Sequence, residues 1–360
     1  MFVDFKFSKK SESKKHILVY SSAVPQTDAA MFGVPATPSI TPNIAYGYTP
    51  DMTFYERVQN FLSYWVNHFV MLEVLKGEPA KAYKNVFGVD FDYQQAFAES
   101  QYVFVNTDEH LDFPQIITQK RVHIGGLGMQ NNDLTVELPQ EMAQKIKEFK
   151  QGFVLVSFGT VASSYSMPEH VKTAFKEAFQ MFPEVLFVMK YEKDDEYAKG
   201  VKNIYKVKWL PQRSLLNHPK VLAFITHSGM NSVTEATNAG VPMVNVPLFA
   251  DQMYNSAMAI SKGVGYRLDK FKITKNTVVE ALRTVIQDES YKKRSKELSR
   301  MIRAKPMSPD ERIQKYSEFA AEFNIADNLD IYGRDFSTGL FTEYSLSYKL
   351  SFAVCTAQTI

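Results

Sequence analysis

The chain has 360 residues, which is long enough for about two domains of ordinary size, each with its own hydrophobic core. Hydrophobic residues make up 45% of it and charged residues 22%, a balance typical of a folded globular protein. Lys and Arg total 41 against 39 Asp and Glu, so no broad positive field is available to bind a nucleic-acid backbone. The single cysteine, Cys355, excludes an intramolecular disulfide and a zinc site made of several thiolates.

The two ends of the chain show no pattern of export or membrane insertion. Asp4, Lys6 and Lys9 interrupt the apolar residues at the start, so residues 1–15 predict an unstructured leader and not a secretory signal. No run of about eighteen apolar residues occurs anywhere in the chain. We therefore expect a chain that is soluble as written.

The first half of the chain predicts few regular elements. Residues 16–20 predict a short strand, and the proline-rich residues 24–50 predict a long loop, because proline disrupts both helices and interior strands. Residues 53–75 predict a long amphipathic helix, or a broken pair, whose apolar face includes Phe61, Trp65 and Phe69. Two further strands are expected at residues 102–105 and 122–124.

The second half alternates between apolar strands and helical segments. The predicted strands are 153–157, 185–190, 204–208, 223–226 and 243–246; the predicted helices are 168–182, 230–239 and two that begin near 251 and 276. Alternation with short connections indicates right-handed crossovers and a parallel sheet that is covered on both faces. The second half is therefore expected to be a doubly wound α/β domain.

One strand in this domain is expected to turn directly into a helix that binds an anion. After the strand that ends near Thr226, Gly229 permits a tight turn, and His227, Asn231 and Ser232 supply polar side chains at the start of the helix. A diphosphate would fit there. Glu235 lies one turn further along the same face and could accept hydrogen bonds from the hydroxyls of a ribose. The alternative is that these residues are ordinary helix caps and surface polar groups.

Neighbouring motifs strengthen the nucleotide interpretation. They are Trp209-Leu-Pro-Gln212, His218-Pro219, Gly240-Val-Pro242, Pro247-Leu-Phe249 and Asp251-Gln252. The run from Trp209 to Asn255 closely resembles the signature of the UDP-glycosyltransferase family, which includes the glucuronosyltransferases. A weaker similarity extends from about residue 16 to about residue 333. The resemblance implies a GT-B architecture, in which two Rossmann-like domains face each other across a cleft.

The resemblance also implies a role for each site residue. Trp209 matches the aromatic that stacks on uracil, Gln212 a residue near the base and ribose, and Glu235 the ribose contact. His227, Asn231 and Ser232, beside Gly229, match the family's diphosphate contacts. Gly159 and Thr160 match the loop that approaches the β-phosphate. Asp251 and Gln252 match the pair that contacts the donor sugar. The UDP-sugar is a co-substrate, and no cofactor or metal is expected.

Structural alternatives remain open for two of these residues, and a third residue departs from the family pattern. Trp209 could be a core residue, and Asp251 could cap a helix. Ser228 stands where many family members have glycine, so the backbone loses freedom next to the phosphates. Ser228 is therefore expected to weaken donor binding.

The family's catalytic histidine and its aspartate partner are not identifiable in this chain, and neither His16 nor His110 is assigned the role. We therefore expect an incomplete N-terminal domain and no C-terminal membrane anchor, although anchored family members reside in the endoplasmic reticulum. The expected organisation is a leader (1–15), a partial acceptor-binding domain (16–130), a linker (131–151), a UDP-sugar-binding domain (152–308), a helix that crosses back (309–335) and a divergent tail (336–360).

Three functions are compatible with these patterns. The first is transfer of glucuronic acid or glucose from a UDP-sugar to a hydroxyl of a small lipophilic acceptor, with inversion. The second is an inert protein that binds a UDP-sugar or associates with full-length relatives. The third and weakest is a different enzyme of the same fold, such as a nucleotide-sugar epimerase.

Overall fold

The computed structural model describes residues 15–88, 90, 93–129 and 137–330. The predicted leader apart from Lys15, residues 131–136 of the predicted linker, and the predicted tail with Cys355 lie outside the described residues. Two sheets organise the described part of the chain, and all strand pairs in both are parallel.

Strands and helices are numbered here in chain order. The strands are β1 (Leu18–Tyr20), β2 (Val103–Val105), β3 (Arg121–His123), β4 (Gly152–Ser157), β5 (Val185–Lys190), β6 (Ile204–Val207), β7 (Val221–Thr226), β8 (Met243–Asn245) and β9 (Gly265–Arg267). The helices are α1 (Gln26–Ala29), α2 (Phe54–Lys76), α3 (Glu78–Phe87), α4 (Tyr93–Ala98), α5 (Gln140–Glu148), α6 (Glu169–Gln180), α7 (Gln212–Leu216), α8 (Met230–Ala239), α9 (Gln252–Ser261), α10 (Lys275–Gln287), α11 (Glu289–Arg303), α12 (Pro309–Glu322) and α13 (Ala326–Leu329).

The larger sheet has the strand order β6-β5-β4-β7-β8-β9. Its first strand, β4, lies in the middle, and the chain builds outward on one side through β5 and β6 and then on the other through β7, β8 and β9. This is the order of a doubly wound nucleotide-binding fold. The direction of winding reverses between β4 and β7, and ligands of such sheets bind beyond the carboxyl ends of the strands at that reversal.

Helices cover both faces of the larger sheet. On one face α5, α7, α8, α9 and α11 pack against side chains such as Phe153 and Phe224, and on the other α6 and α10 pack against Val154 and Phe187. Strands β4, β5 and β8 are buried along their whole length, whereas the edge strands β6 and β9 are only partly buried. Burial on both faces is why the central strands are continuous apolar runs. The sequence pattern does not predict β9, which is short, or α11, which is dominated by charged residues.

The smaller sheet has three strands in the order β1-β2-β3. On one face it packs against α12, where the rings of Tyr102 and Tyr316 meet edge to face with centroids 4.8 Å apart. On the other face, Phe32 and Phe97 pack against the side chains of β2. α12 follows the last helix of the larger domain in the chain and returns to the smaller sheet.

Helix α2 is present as predicted, and its apolar face is largely exposed. Thr53 caps it through a capping box with Glu56, so the helix begins where the sequence predicts. Phe61 and Phe69, on the apolar face, are about half exposed or more. The buried face carries Asn60, whose amide accepts a hydrogen bond from the Asn43 nitrogen and donates to backbone carbonyls of the proline-rich segment. A polar anchor therefore sets the orientation of α2.

The proline-rich segment also contains a short helix that the sequence does not predict. Pro25 occupies the N-cap position of α1, where a fixed backbone and a missing N–H cause no penalty, and Gly33 ends the following helical turn with φ +78°. The remainder of residues 24–50 is a loop, as expected. Among the described helices, none combines the length and the apolar character that crossing a bilayer requires.

Candidate functional site

The candidate site lies where the winding of the larger sheet reverses. β4 and β7 are hydrogen-bonded neighbours, and their last residues, Ser157 and Thr226, are in register. The two loops that follow these strands therefore start side by side at the carboxyl edge of the sheet. They contain Gly159 with Thr160, and His227 with Gly229, which are all predicted site residues.

The imidazole of His227 lies against two glycines. A Cβ atom at Gly159 would lie 2.7 Å from Cε1 of this ring, and one at Gly229 would lie 2.5 Å from Nε2. Gly159 also has φ +82°, a conformation that side chains rarely adopt. Both glycines are therefore required for the ring to lie at this position.

Burial lowers the pKa of His227, and the charge of Lys190 lowers it further, while Asp251 and the Ser157 backbone act to raise it. The net shift is downward from an ordinary value of 6.5. His227 is therefore neutral at neutral pH and presents one N–H donor without adding a positive charge.

Helix α8 begins directly after this turn with free backbone donors. Its N-cap residue is Gly229, and no side chain caps the first turn. The N–H groups at the start of the helix are therefore available to an anion, and the helix dipole places partial positive charge there. Asn231 is exposed on the first turn, and its Oδ1 accepts a hydrogen bond from Nδ2 of Asn106, which follows β2 in the smaller domain.

Gln212, Ser232 and Glu235 form one hydrogen-bonded cluster. Nε2 of Gln212 donates to Oε2 of Glu235 at 2.7 Å and to Oγ of Ser232 at 3.4 Å. Burial raises the pKa of Glu235, while the hydrogen bond from Gln212 and the charge of Arg213 act to lower it. The three predicted residues thus meet from α7 and α8, and they hold a partly buried carboxylate that can accept hydroxyl hydrogen bonds.

Trp209 is not a core residue, because 72% of its surface is exposed. The indole lies at the rim of the site, after the end of β6, and Nζ of Lys190 lies 5.5 Å from its ring centroid. An exposed indole next to a polar cleft offers a flat face for an aromatic base. The core alternative for Trp209 is therefore wrong.

Lys190 is a site residue that the sequence reading missed. It is the last residue of β5, only 7% exposed, and its ammonium donates to the Gly159 carbonyl oxygen at 2.6 Å. The sequence feature that could have identified it is a lysine at the carboxyl end of a predicted apolar strand, because ligands bind at that edge of such sheets. Its charge reaches the turn after β4, the indole of Trp209 and the imidazole of His227.

Asp251 and Gln252 lie at the start of α9. Asp251 occupies the N-cap position but makes no capping bond; instead its Oδ2 accepts a hydrogen bond from Nδ2 of Asn255 at 2.9 Å. The helix-cap alternative is therefore wrong. Gln252 is buried, and its Oε1 accepts hydrogen bonds from the backbone nitrogens of Leu248 and Phe249, which fixes the loop before α9.

Ser228 adopts the conformation that its glycine-like position demands. Its φ is +66°, in the left-handed region that disfavours residues with a side chain. The side chain is fully buried, and its hydroxyl makes no hydrogen bond to any described residue. The site therefore carries local strain directly between the strand and the anion-binding helix.

Two other histidines, His16 and His218, lie away from this cluster. His16 precedes β1 at the amino end of the sheet, where Nε2 bonds to the Ala96 carbonyl. His218 lies at the amino end of β7, packed edge to face on Phe153. Among the described residues, no group of three or more His, Cys, Asp or Glu side chains is arranged to hold a metal ion.

Comparison with known proteins agrees with this geometry. The family model "UDP-glucoronosyl and UDP-glucosyl transferase" matches residues 15–341. A Caenorhabditis elegans protein named UDP-glucuronosyltransferase ugt-50 is 32% identical over 333 residues, which is 90% of this chain and 62% of that protein. Mouse UDP-glucuronosyltransferase 1A9 is 34% identical over 277 residues, 76% of this chain and 51% of that protein. The chain thus spans less than two thirds of either relative.

Solved structures share the fold at low sequence identity. UDP-glucose: anthocyanidin 3-O-glucosyltransferase in complex with UDP superposes with a TM-score of 0.56 at 19% identity, covering 85% of this chain and 70% of that one. A glycosyltransferase of kitacinnamycin gives the same TM-score, 0.56, at 21% identity, covering 72% of this chain and 67% of that one. The predicted GT-B α/β fold is confirmed. By its matching family model and its relatives, the chain belongs to the UDP-glucuronosyl and UDP-glucosyl transferase family.

Proposed function

We propose that this chain binds a UDP-sugar at the site around His227 and takes part in glycosyl transfer to a hydroxyl of a small lipophilic acceptor. The donor sugar is glucuronic acid or glucose, and the transfer inverts its anomeric centre. One observation carries the proposal. An exposed indole, a partly buried carboxylate and an uncapped helix N-terminus lie near the carboxyl edge of the larger sheet, and they match a base, a ribose and a diphosphate.

The uridine portion would bind between α7 and α8. Uracil stacks on the exposed face of Trp209, and the ribose hydroxyls donate to Glu235. Gln212, which already contacts Glu235, keeps the carboxylate in place and contacts the base and ribose edge. This arrangement disfavours nucleotides that lack ribose hydroxyls, because the partly buried carboxylate would then keep only its hydrogen bond from Gln212.

The diphosphate would lie at the amino end of α8. His227 donates its single N–H, the first turn of the helix donates backbone N–H groups, and Asn231 and Ser232 add side-chain donors. Gly159 and Thr160 lie on the opposite wall, with Lys190 supplying positive charge behind Gly159. These groups stabilise the negative charge that collects on the diphosphate as it leaves.

Transfer itself would be a direct displacement. The acceptor oxygen forms a bond to the anomeric carbon while the bond from that carbon to the β-phosphate oxygen breaks, and UDP departs with the bonding electrons. Asp251 and Gln252 orient the sugar through its hydroxyls. A general base takes the acceptor proton, and we assign no described residue to that role.

Two finer predictions rest on the family resemblance alone. They are association of this chain with longer relatives and, for the family's anchored members, a location at the endoplasmic reticulum membrane. Inert binding of a UDP-sugar differs from the proposal only in the absence of turnover, and no contact among the described residues favours it over transfer.

Tryptophan fluorescence tests the donor site. The chain has two tryptophans, Trp65 and Trp209, so a Trp65→Phe variant leaves Trp209 as the sole reporter. UDP is expected to quench this signal in a saturable manner. By calorimetry, Trp209→Ala is expected to lose about 1–3 kcal/mol of UDP-binding free energy, the usual range for one stacked base.

Matched variants and a turnover assay complete this test. Glu235→Gln is expected to weaken UDP binding, whereas Glu318→Gln, on α12 away from the site, leaves it unchanged. Incubation with phenols and either UDP-glucose or UDP-glucuronate, followed by mass spectrometry, distinguishes a transferase from an inert binder. Absence of UDP binding by the unmodified chain would rule the proposal out.

A further inference from the structure

A second polar cleft lies at the opposite edge of the larger sheet. It is a groove of about 660 Å³ between α11 and the ends of α7 and α8. Its polar lining consists mainly of Asn217, His218, Lys292, Lys296, Arg300 and Arg303. The volume is within the usual range of roughly 300–1,000 Å³ for small-molecule sites.

The positive charge of the chain is concentrated on the helix that forms this groove. α11 has six Lys and Arg residues and two Glu residues, a net charge of +4, whereas the whole chain has a net charge of +2. Lys292, Lys296, Arg300 and Arg303 follow one another at helical spacing and share one face of α11. Like charges at this spacing repel each other and destabilise a helix. An anion bound between them would relieve this repulsion.

The part of the chain that the structure describes supplies no such anion. No carboxylate lines the groove, and among the ion pairs of the described residues none includes any of these four side chains. Burial lowers the pKa of Lys292, and repulsion from Lys296 lowers it further. The repulsion within the groove is therefore not relieved by a neighbouring acid.

Three of the four cations contact backbone carbonyls. Lys292 donates to the oxygen of Val221, Lys296 to that of Ala239, and Arg303 to that of Asn238. These contacts partly neutralise the carboxyl end of α8. A helix end carries only about half a negative charge, however, so the ends of α7 and α8 together offset about one of the four positive charges.

We propose that this groove binds a ligand with two or more phosphate groups, either a soluble oligophosphate or the headgroup of a phosphorylated lipid. Phosphate oxygens suit guanidinium and ammonium donors, and two phosphates match the charge that the helix ends leave uncompensated. The groove lies away from the diphosphate end of the donor site, although Asn217, Ala239 and Arg303, which line it, also line a small adjacent pocket with Glu235. Val221 begins β7 and His227 follows its end, so about six strand residues, or roughly 20 Å, lie between them.

Calorimetry with inorganic tripolyphosphate, and sedimentation with phosphatidylcholine vesicles that contain or lack phosphatidylinositol bisphosphate, test the proposal on the full chain. The informative variant is Arg300→Glu, because this exposed side chain makes no contact that the fold needs. Its matched control is Lys293→Glu, an equal charge reversal on the same helix but outside the groove. Arg300→Glu is expected to weaken binding about tenfold or more, and Lys293→Glu less than about twofold.

The two probes distinguish the source of the phosphate groups. Tripolyphosphate binding that depends on Arg300 identifies a soluble ligand, and binding confined to phosphoinositide vesicles identifies a lipid headgroup. Any tripolyphosphate that enters the donor site is unaffected by either variant, so it does not imitate the expected difference. Equal binding by the two variants, or no binding to either probe, would overturn the proposal.

Discussion

The two sheets of this molecule are stabilised in different ways. The six-stranded sheet is buried on both faces by continuous apolar clusters, and the donor site lies on its rigid edge. The three-stranded sheet has much smaller apolar clusters of its own. Buried polar contacts join it to the rest of the chain, together with Leu111 and Phe113, which pack into the apolar cluster of the larger sheet. Site geometry therefore depends on core packing in one region, while the position of the other region depends on paired charges as well as on apolar packing.

The polar contacts between the regions form a continuous seam. Lys305, which follows α11, pairs with Asp108 and Glu109 after β2, and Glu109 also accepts from Arg312 at 2.6 Å. Tyr254 of α9 donates to Asp112, which is paired with Arg121. Because charges are costly to bury, such a seam is stable only while each charge keeps its partner.

The largest expected effect comes from removing the central cation of this seam. Lys305 is 1% exposed and Asp108 is 2% exposed, so Lys305→Met leaves a buried carboxylate without its partner. The expected loss of unfolding free energy is about 3–5 kcal/mol, measured by denaturant titration. The control is Lys81→Met, which breaks an exposed pair with Glu78 and is expected to change stability little. Equal effects of the two substitutions would contradict the distinction between the regions.

The next largest effect tests the rigidity of the donor edge, which is the carboxyl edge of the larger sheet where the donor site lies. Gly159→Ala places a Cβ 2.7 Å from Cε1 of the His227 imidazole, and it also strains the backbone at φ +82°. We expect a loss of about 2–4 kcal/mol of stability together with loss of UDP binding. Gly200→Ala is the matched control, because Gly200 has φ +77° and nothing near its Cβ position. Gly200→Ala measures the effect of backbone strain alone. An equal loss of stability in both variants would show that the contact between the new Cβ and the His227 ring is unimportant.

Acid titration tests the seam in another way. Burial acts to raise the pKa of Glu109, but the Arg312 hydrogen bond and the charges of Lys305 and Arg312 dominate and lower it to about 2. Since the folded-state pKa lies below the ordinary 4.5, the contribution of Glu109 is complete above pH 4.5 and is lost as the pH falls toward 2. Allowing for solvent screening of a partly exposed group, that contribution is about 1–2 kcal/mol.

The corresponding variant is Glu109→Gln, measured by denaturant midpoints across the same pH range. It is expected to be less stable than the unmodified chain at neutral pH and to lose less stability on acidification. A profile parallel to that of the unmodified chain would mean that Glu109 is not the group responsible.

The sequence predicted the donor edge well because that edge is local. His227 through Glu235 lie on one continuous stretch of chain, which consists of the end of β7, a turn and the start of α8. The apolar runs around this stretch are enough to predict the strands of the sheet. The contributions of Lys190 and Asn106 were not predictable in this way. Each reaches the site from a distant segment, so its role depends on strand order and on how the two regions meet.

The orientation of α2 could not be predicted from the sequence for a related reason. Helical periodicity identifies an apolar face but does not state that this face is the buried one. Asn60 makes three hydrogen bonds to the proline-rich segment, and a buried amide with all its partners outweighs apolar exposure on the other face. A pattern of hydrophobicity alone contains no information on such polar anchors.

The smallest expected effect is a gain and concerns the strained residue of the donor edge. Ser228→Gly relieves about 1–2 kcal/mol of left-handed strain and removes a buried unpaired hydroxyl, against roughly 0.5–1 kcal/mol of added chain entropy in the unfolded state. We expect a net stabilisation of about 1 kcal/mol, seen as a higher Tm, and tighter UDP binding by calorimetry. Ala198→Gly is the control, since Ala198 has φ +55° but lies away from the site and has no hydroxyl. If only Ser228→Gly binds UDP more tightly, the backbone strain at Ser228 weakens UDP binding in the unmodified chain. If UDP binding does not change, the strain at Ser228 does not affect the affinity for UDP.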